Sequence, residues 1–105
     1  MKGTIALLGK EKNWIYVTLK RRNALAILMP FFKDAGADIW ALHEIGRLDK
    51  YVVDDHFVAK GKNLEVFCIF GSKYLNLIAL SSEKGARDKF IRSLLKYFKF
   101  AKQKE

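Results

Sequence analysis

The chain has 105 residues, half of them apolar and only one a proline, which suits a single domain, 1–105, with one core and excludes a disordered tail. A lone cysteine, Cys68, excludes an intramolecular disulfide and a cysteine-based zinc cluster within one chain, so a cytoplasmic location is the default expectation. The formal net charge of +9 sits at the two ends: residues 1–22 carry six Lys or Arg against one acid, residues 83–105 carry eight against three, and residues 23–82 carry six against seven.

In chain order, Thr4–Leu8 and Trp14–Lys20 read as two strands of a hairpin joined through Gly9 to Asn13. In the second strand, alternation sets the aliphatic Ile15, Val17 and Leu19 on a core side and Trp14, Tyr16, Thr18 and Lys20 on the other. Two aromatic rings beside a cation suit base stacking with phosphates held nearby; the competing reading is that both rings cap the edge of the core. Lys20, Arg21 and Arg22 form the densest basic cluster, followed by Asn23 as a candidate N-cap for a helix from Ala24. Three cations at a helix N-terminus oppose its dipole, and a phosphate would relieve that cost; if the helix began at Thr18 the argument would weaken. Pro30 is expected to kink this helix or to open a second one.

A further helix is expected from Asp38 through Ile45, stopped by Gly46, with His43 as a surface residue. Tyr51–Val53 and His56–Ala59 suggest a strand interrupted at Asp54 and Asp55. Two acids and a histidine can hold a divalent metal for phosphodiester cleavage. Adjacent residues on a strand point to opposite faces, however, so Asp54, Asp55 and His56 are not read as a nuclease site.

The stretch LEVFCIF-GSK-YLNLIAL, Leu64 to Leu80, is a hairpin signal with a three-residue or bulged loop. Pairing Phe70 with Tyr74 would put Leu64, Val66, Cys68, Phe70, Tyr74, Asn76, Ile78 and Leu80 on one face. Glu65, Phe67, Ile69, Leu75, Leu77 and Ala79 would take the other. Both faces are mainly apolar, so each needs a cover: helices on one, and a further layer, another subunit or a ligand on the other, unless both are simply interior. Ser81, Ser82 and Glu83 then open a final helix expected to reach Lys102. Its apolar arc is Phe90, Ile91, Leu94, Leu95, Phe98 and Ala101, and its basic arc is Lys89, Arg92, Lys96 and Lys99. From Lys89 to Lys104 there are six cations and no acid, a repulsion that a negatively charged partner would remove.

Internal repeats, glycine-rich phosphate loops, a membrane-length apolar run and a signal-peptide pattern are all absent, and no nucleophile can be paired with a base. The expectation is an α+β fold, a mostly antiparallel sheet with helices packed on at least one face, in the order β-β-α-α-β-β-β-α. It is not read as an enzyme, and no cofactor or metal is implied. The charge favours a polyanion, nucleic acid ahead of a membrane surface. The residues point to single-stranded nucleic acid, DNA ahead of RNA, bound with little sequence preference. Lys20, Arg21, Arg22, Lys89, Arg92, Lys96 and Lys99 would hold phosphates, and Trp14, Tyr16 and Tyr74 would stack on bases. Assembly as a homodimer or higher homo-oligomer is expected from the surplus apolar surface. The alternatives are a duplex RNA or DNA binder using phosphate contacts, and a non-enzymatic oligomeric interaction subunit. Few Asn, Gln, Cys and Met with many Lys lean towards a thermophilic source.

The order helix, three strands, helix over Ala24–Tyr97 resembles a double-stranded RNA-binding domain, carried by the hairpin and the following SSEKGARDKF. That family's third strand is Gly-rich and solvated, whereas Tyr74–Leu80 is apolar, and its Lys-Lys-Ala signature is only loosely echoed by Lys84, Ala86 and Lys89. The basic aromatic segment WIYVTLKRRN, the helical middle and the two-sided hairpin also resemble the archaeal ThermoDBP-related single-stranded DNA-binding proteins. This resemblance implies helices on an antiparallel sheet, DNA held by aromatic, apolar and basic surface, and oligomers that enclose it. It transfers no binding residue by motif.

Overall fold

The β-branched and aromatic runs WIYVTLK, LEVFCIF and YLNLIAL favour extended backbone. Each is a strand in the computed structural model, which describes residues 2–39 and 56–101. The described elements are β1 (Gly3–Lys10), β2 (Trp14–Lys20), α1 (Arg21–Ala35), β3 (Asp38–Ile39), β4 (His56–Gly61), β5 (Leu64–Phe70), β6 (Tyr74–Leu80), α2 (Lys84–Tyr97) and β7 (Phe98–Phe100). The strands form one sheet in the order β3-β4-β5-β6-β2-β1-β7, antiparallel except where β7 runs parallel to β1. The fold is α+β, as expected, and the first hairpin joins the same sheet as the second through β2 and β6.

Both helices lie on one side of this sheet. Ile5, Ile15, Val17, Leu19, Val66, Cys68, Leu75, Leu77 and Ala79 point inward from the strands and join Ala24, Leu28, Phe31 and Phe32 of α1 and Phe90 and Leu94 of α2 in one buried cluster. Phe31 is at its centre, with its ring centroid 5.2 Å from Phe32, 5.4 Å from Phe90 and 5.4 Å from Phe98. Burial of Cys68 among these side chains pushes its thiol up to about 12.

Two stretches of the described chain, β1-β2-α1 and β5-β6-α2, are similar halves of the central sheet and its helices. In each, a hairpin with a three-residue connection leads into a helix, at once after β2 and through Ser81–Glu83 after β6, and the connections close alike: Glu11 N–H donates to the Trp14 carbonyl at 2.8 Å and Gly71 N–H to the Tyr74 carbonyl at 2.7 Å. Where the halves meet, Arg21 N–H donates to the Lys73 carbonyl (2.9 Å) and Ser81 N–H to the Asn13 carbonyl (3.0 Å). An approximate twofold axis therefore passes through the β2–β6 seam near the Val17–Leu77 pair, exchanging Arg21 with Ser81 and Lys73 with Asn13. The sequence shows no such repeat. The correspondence resides in strand and loop lengths, which backbone pairing fixes, while the side chains differ.

Four sequence expectations are corrected. Asp38 does not open a helix: Gly36 closes α1 in the left-handed region (φ 81), and the chain passes straight into β3, where Asp38 pairs with Lys60 and Ile39 with Ala59. The remainder of that expected helix, with the Tyr51–Val53 run, falls outside the described residues. The final helix ends at Tyr97, because Phe98–Phe100 alternates aromatic, basic, aromatic and adds to the sheet edge beside β1 with Phe98 buried. In the second hairpin Phe70 pairs with Leu75, since the turn consumes Tyr74; this one-residue slip exchanges the faces of β6. Pro30 neither kinks α1 nor starts a new helix. Only Arg22 and Asn23 are non-helical there, and exposure of Ala26 lets its unpaired carbonyl meet water.

Close backbone approach makes Gly61 a sensitive position, as a Cβ there would stand 1.8 Å from the Gly36 carbonyl oxygen, whereas one on Gly85 of α2 would meet nothing within 4 Å. Gly61→Ala is expected to cost on the order of 1–3 kcal/mol in urea unfolding, while Gly85→Ala should be neutral or stabilising by up to about 1 kcal/mol. The raised Cys68 thiol adds a pH dependence. Its proton is kept by the folded state and lost by the unfolded chain above about 9.0, so the stability it supports is full below that pH and falls as pH rises towards about 12. Between pH 8 and 10.5 the wild-type protein should lose about 2 kcal/mol more than Cys68→Ala, compared by urea unfolding at both pH values.

Candidate nucleic-acid interface

Because both helices cover the same side, the opposite face of the sheet carries no layer among the described residues. Cross-strand partners share a face, so the register assembles this surface row by row. Trp14 lies beside Leu80 and Glu65; Tyr16 beside Ile78, Phe67 and Val58; Thr18 beside Asn76 and Ile69; and Lys20 beside Tyr74. Leu7 joins it next to Thr18, because a bulge at Ala6 resets the alternation of β1. Leu7 is 53% exposed, Ile69 47%, Tyr74 43%, Leu80 38% and Trp14 37%, a largely apolar surface interrupted by Glu65, by Lys20 and by the pair in which Thr18 Oγ1 donates to Asn76 Oδ1 at 2.9 Å. Alternation in β2 thus works as the sequence implies, with Ile15, Val17 and Leu19 buried and Trp14, Tyr16, Thr18 and Lys20 turned the other way.

The two aromatic rings of β2 are held in place by their neighbours. Trp14 and Tyr16 stand 5.2 Å apart between centroids at 38°. Opposite Tyr16 on β1 is Gly9, where a Cβ would lie 1.9 Å from the Tyr16 ring. The tyrosine therefore lies flat across β1 in space that only glycine leaves open, presenting one side of its ring to solvent. Tyr74 is at the far end of the seam, about 20 Å from Trp14 at the usual rise per strand residue.

That far end is basic. Lys20, Arg21, Arg22, Ser72, Lys73 and Tyr74 line a cleft of about 430 Å³ that contains no carboxylate. It forms because β2 runs directly into α1 through Arg22 (ψ 126) and Asn23, whose left-handed φ of 69 is tolerated by asparagine. The cleft is braced by Arg21, whose Nη1 donates to the Gly71 carbonyl at 2.8 Å. Ser72 and Lys73 belong to this site in addition to the residues expected from sequence. Their signal was present, since the GSK turn must return next to whatever β2 leads into once the two hairpins pair.

The ten candidate residues divide between two sides of the protein. Trp14, Tyr16, Lys20 and Tyr74 share the bare face, Arg21 and Arg22 close its end, and Lys99, paired with Thr4 and opposite in alternation to buried Phe98, points to the same side from the edge strand. Lys89, Arg92 and Lys96 belong to the helix layer behind. There the expected repulsion is answered within the chain: Lys96 Nζ lies 3.4 Å from Asp34 of α1 and 5.5 Å from the centroid of the Tyr97 ring, and Lys89 lies over the Gly36 cap at the negative end of the α1 dipole. In the first turns of α2, a hydrogen bond from Lys84 holds the Asp88 carboxyl below the usual range, helped by Arg92 and Arg87. The Lys99 assignment to a helical basic arc is therefore corrected to the sheet edge, because α2 has already ended.

Asp54 and Asp55 lie outside the described residues, and His56 is on β4. Among the described residues no three His, Cys, Asp or Glu gather as a metal site, and no helix is long and apolar enough to cross a membrane. Comparison with known protein families, with curated proteins and with solved structures finds no match to this chain.

Proposed function

We propose that the bare sheet face binds single-stranded nucleic acid, DNA ahead of RNA, with little sequence preference. The observation that carries this reading is the juxtaposition of an uncovered aromatic and apolar surface with an acid-free basic cleft at its end. Bases stack on Trp14, Tyr16 and Tyr74 and rest on Phe67 and Ile78 between them. Every base has an aromatic face, so such a platform is indifferent to sequence. Phosphates meet Lys20, Arg21, Arg22 and Lys73 at one end and Lys99 at the edge. Lys89, Arg92 and Lys96 are dropped from this interface, since a strand lying on the sheet does not reach the helix layer.

One observation favours a second reading. Leu7, Ile69 and Leu80 are exposed apolar residues of the kind that a second copy of the chain buries in a sheet-on-sheet homodimer. Light scattering with and without DNA distinguishes the two: assembly through this face predicts a dimer that DNA dissociates or ignores, and a DNA surface predicts a free face that DNA occupies.

Fluorescence anisotropy with labelled single-stranded DNA, single-stranded RNA and duplex DNA at low and near-physiological salt tests the reading. Trp14→Ala and Tyr16→Ala are each expected to cost about 1–3 kcal/mol of single-strand binding while the fold is retained. Replacing Lys89, Arg92 and Lys96 together by Gln should change single-strand affinity by less than about 0.5 kcal/mol beyond the loss of general charge attraction. Unchanged affinity in the double aromatic variant, or equal binding of all three nucleic acids that vanishes with salt, would remove the stacking assignment.

A further inference from the structure

The approximate twofold gives the sheet two clefts, one at each end of the β2–β6 seam. The first is the basic cleft. Its mate, about 380 Å³, is lined by Asn13, Ser81, Ser82 and Leu80 together with residues of the β4–β5 turn. The exchange of halves sets Lys20 against Leu80, Arg21 against Ser81, Arg22 against Ser82 and Lys73 against Asn13. Every cation of the first cleft is thus a neutral residue in the second; in return Ser72 exchanges with Lys12, which lies outside the second cleft's lining, and that lining otherwise holds one lysine, Lys60, and one carboxylate, Glu65.

A groove that only followed a chain of phosphodiesters, one negative charge per residue, would have reason to distribute cations along its length or at both ends. Here four cations converge at one end of a face about 20 Å long. Among the described residues Lys20, Arg22 and Lys73 have no ion-pair partner, and the carbonyl of Gly71 occupies only one of the Arg21 donors. Four like charges in one depression repel, and an anion of more than one charge relieves them more than a monoanion does. A terminal phosphate monoester carries about −1.5 to −2 at pH 7, whereas an internal diester carries a single charge.

We infer that the Lys20–Arg21–Arg22–Lys73 cleft is a site for a terminal phosphate, which anchors one end of a bound strand and gives an otherwise twofold-like face a fixed binding direction. The inference rests on the single-strand reading for the strand, but the phosphate site itself does not. Ser72 and Tyr74 add neutral hydrogen-bond donors at the rim of the cleft.

The test compares thymidine oligonucleotides that carry a 5′-phosphate, a 3′-phosphate or neither, bound to the wild-type protein and to an Arg22→Gln, Lys73→Gln double variant with an unchanged circular dichroism spectrum. One phosphorylated end should bind about tenfold tighter than the other two oligonucleotides at pH 7.5. That preference should shrink at pH 5.5, where the monoester takes up its second proton, and should approach unity in the variant. Equal affinities for the three oligonucleotides, or a preference that survives in the variant, would overturn the inference. If none of the oligonucleotides binds, inorganic pyrophosphate titrated into nitrogen-15-labelled protein decides separately. Saturable shifts of the Arg22, Ser72 and Lys73 amides support the site, and their absence overturns it.

Discussion

The antiparallel pairing of β2 with β6 is the contact on which the rest of the protein depends. It joins two hairpin-and-helix halves into one sheet, from Trp14 against Leu80 to Lys20 against Tyr74. Each half alone would present a two-stranded hairpin and one amphipathic helix, too little to bury a core. Joined, they give the inner faces of β2 and β6 to Phe31, Phe32, Phe90 and Leu94. The cost is that both helices are spent on the same side. Among the described residues there are two helices and no further layer, and none of them covers the outer face of β2, β5 and β6.

That constraint links the fold to the functional reading. The outer residues of β2 and β6 include Thr18, Lys20 and Asn76, but most are large and apolar or aromatic: Trp14, Tyr16, Ile78, Leu80 and Tyr74. The helices that leave this face open also set its charge, because Arg21 and Arg22 occupy the passage from β2 into α1 whereas Ser81 and Ser82 occupy the matching passage from β6 towards α2. Of the cations behind, on α2, Lys96 pairs with Asp34 of α1, Lys89 sits at the end of α1 and Lys84 pairs with Asp88 within the helix.

Much of this could be read in the residues. Alternation in WIYVTLK separates core from surface, because a strand has only two faces and the aliphatic one must be inside. The surplus of apolar residues on the second hairpin signals the bare face, although its register differs by one from the expectation: GSK looks like a complete loop, whereas Gly71 N–H closes onto the Tyr74 carbonyl and Phe70 pairs with Leu75. Where local propensity competed with long-range pairing, pairing won. Asp38 has the chemistry of a helix cap but is drawn into an edge strand by β4, and Phe98 continues a helical apolar arc yet leaves the helix to pack beside Gly3. The approximate twofold was illegible for a different reason. It relates backbones of matching length, and its two ends have opposite demands on charge, so Arg21 and Ser81 share a position without sharing any chemistry. Lys73 joined the site by the same route, through a contact between hairpins that no spacing within either one discloses.

The central claim is that bases lie on the outer face of β2 and β6. Ultraviolet cross-linking of single-stranded DNA carrying halogenated pyrimidines, followed by mass spectrometry of the linked peptides, reads this directly, since such bases couple to aromatic rings stacked against them. The account predicts cross-links at Trp14, Tyr16 and Tyr74. Cross-links confined to Tyr97 and the α2 peptides would contradict it and move the interface to the helix layer.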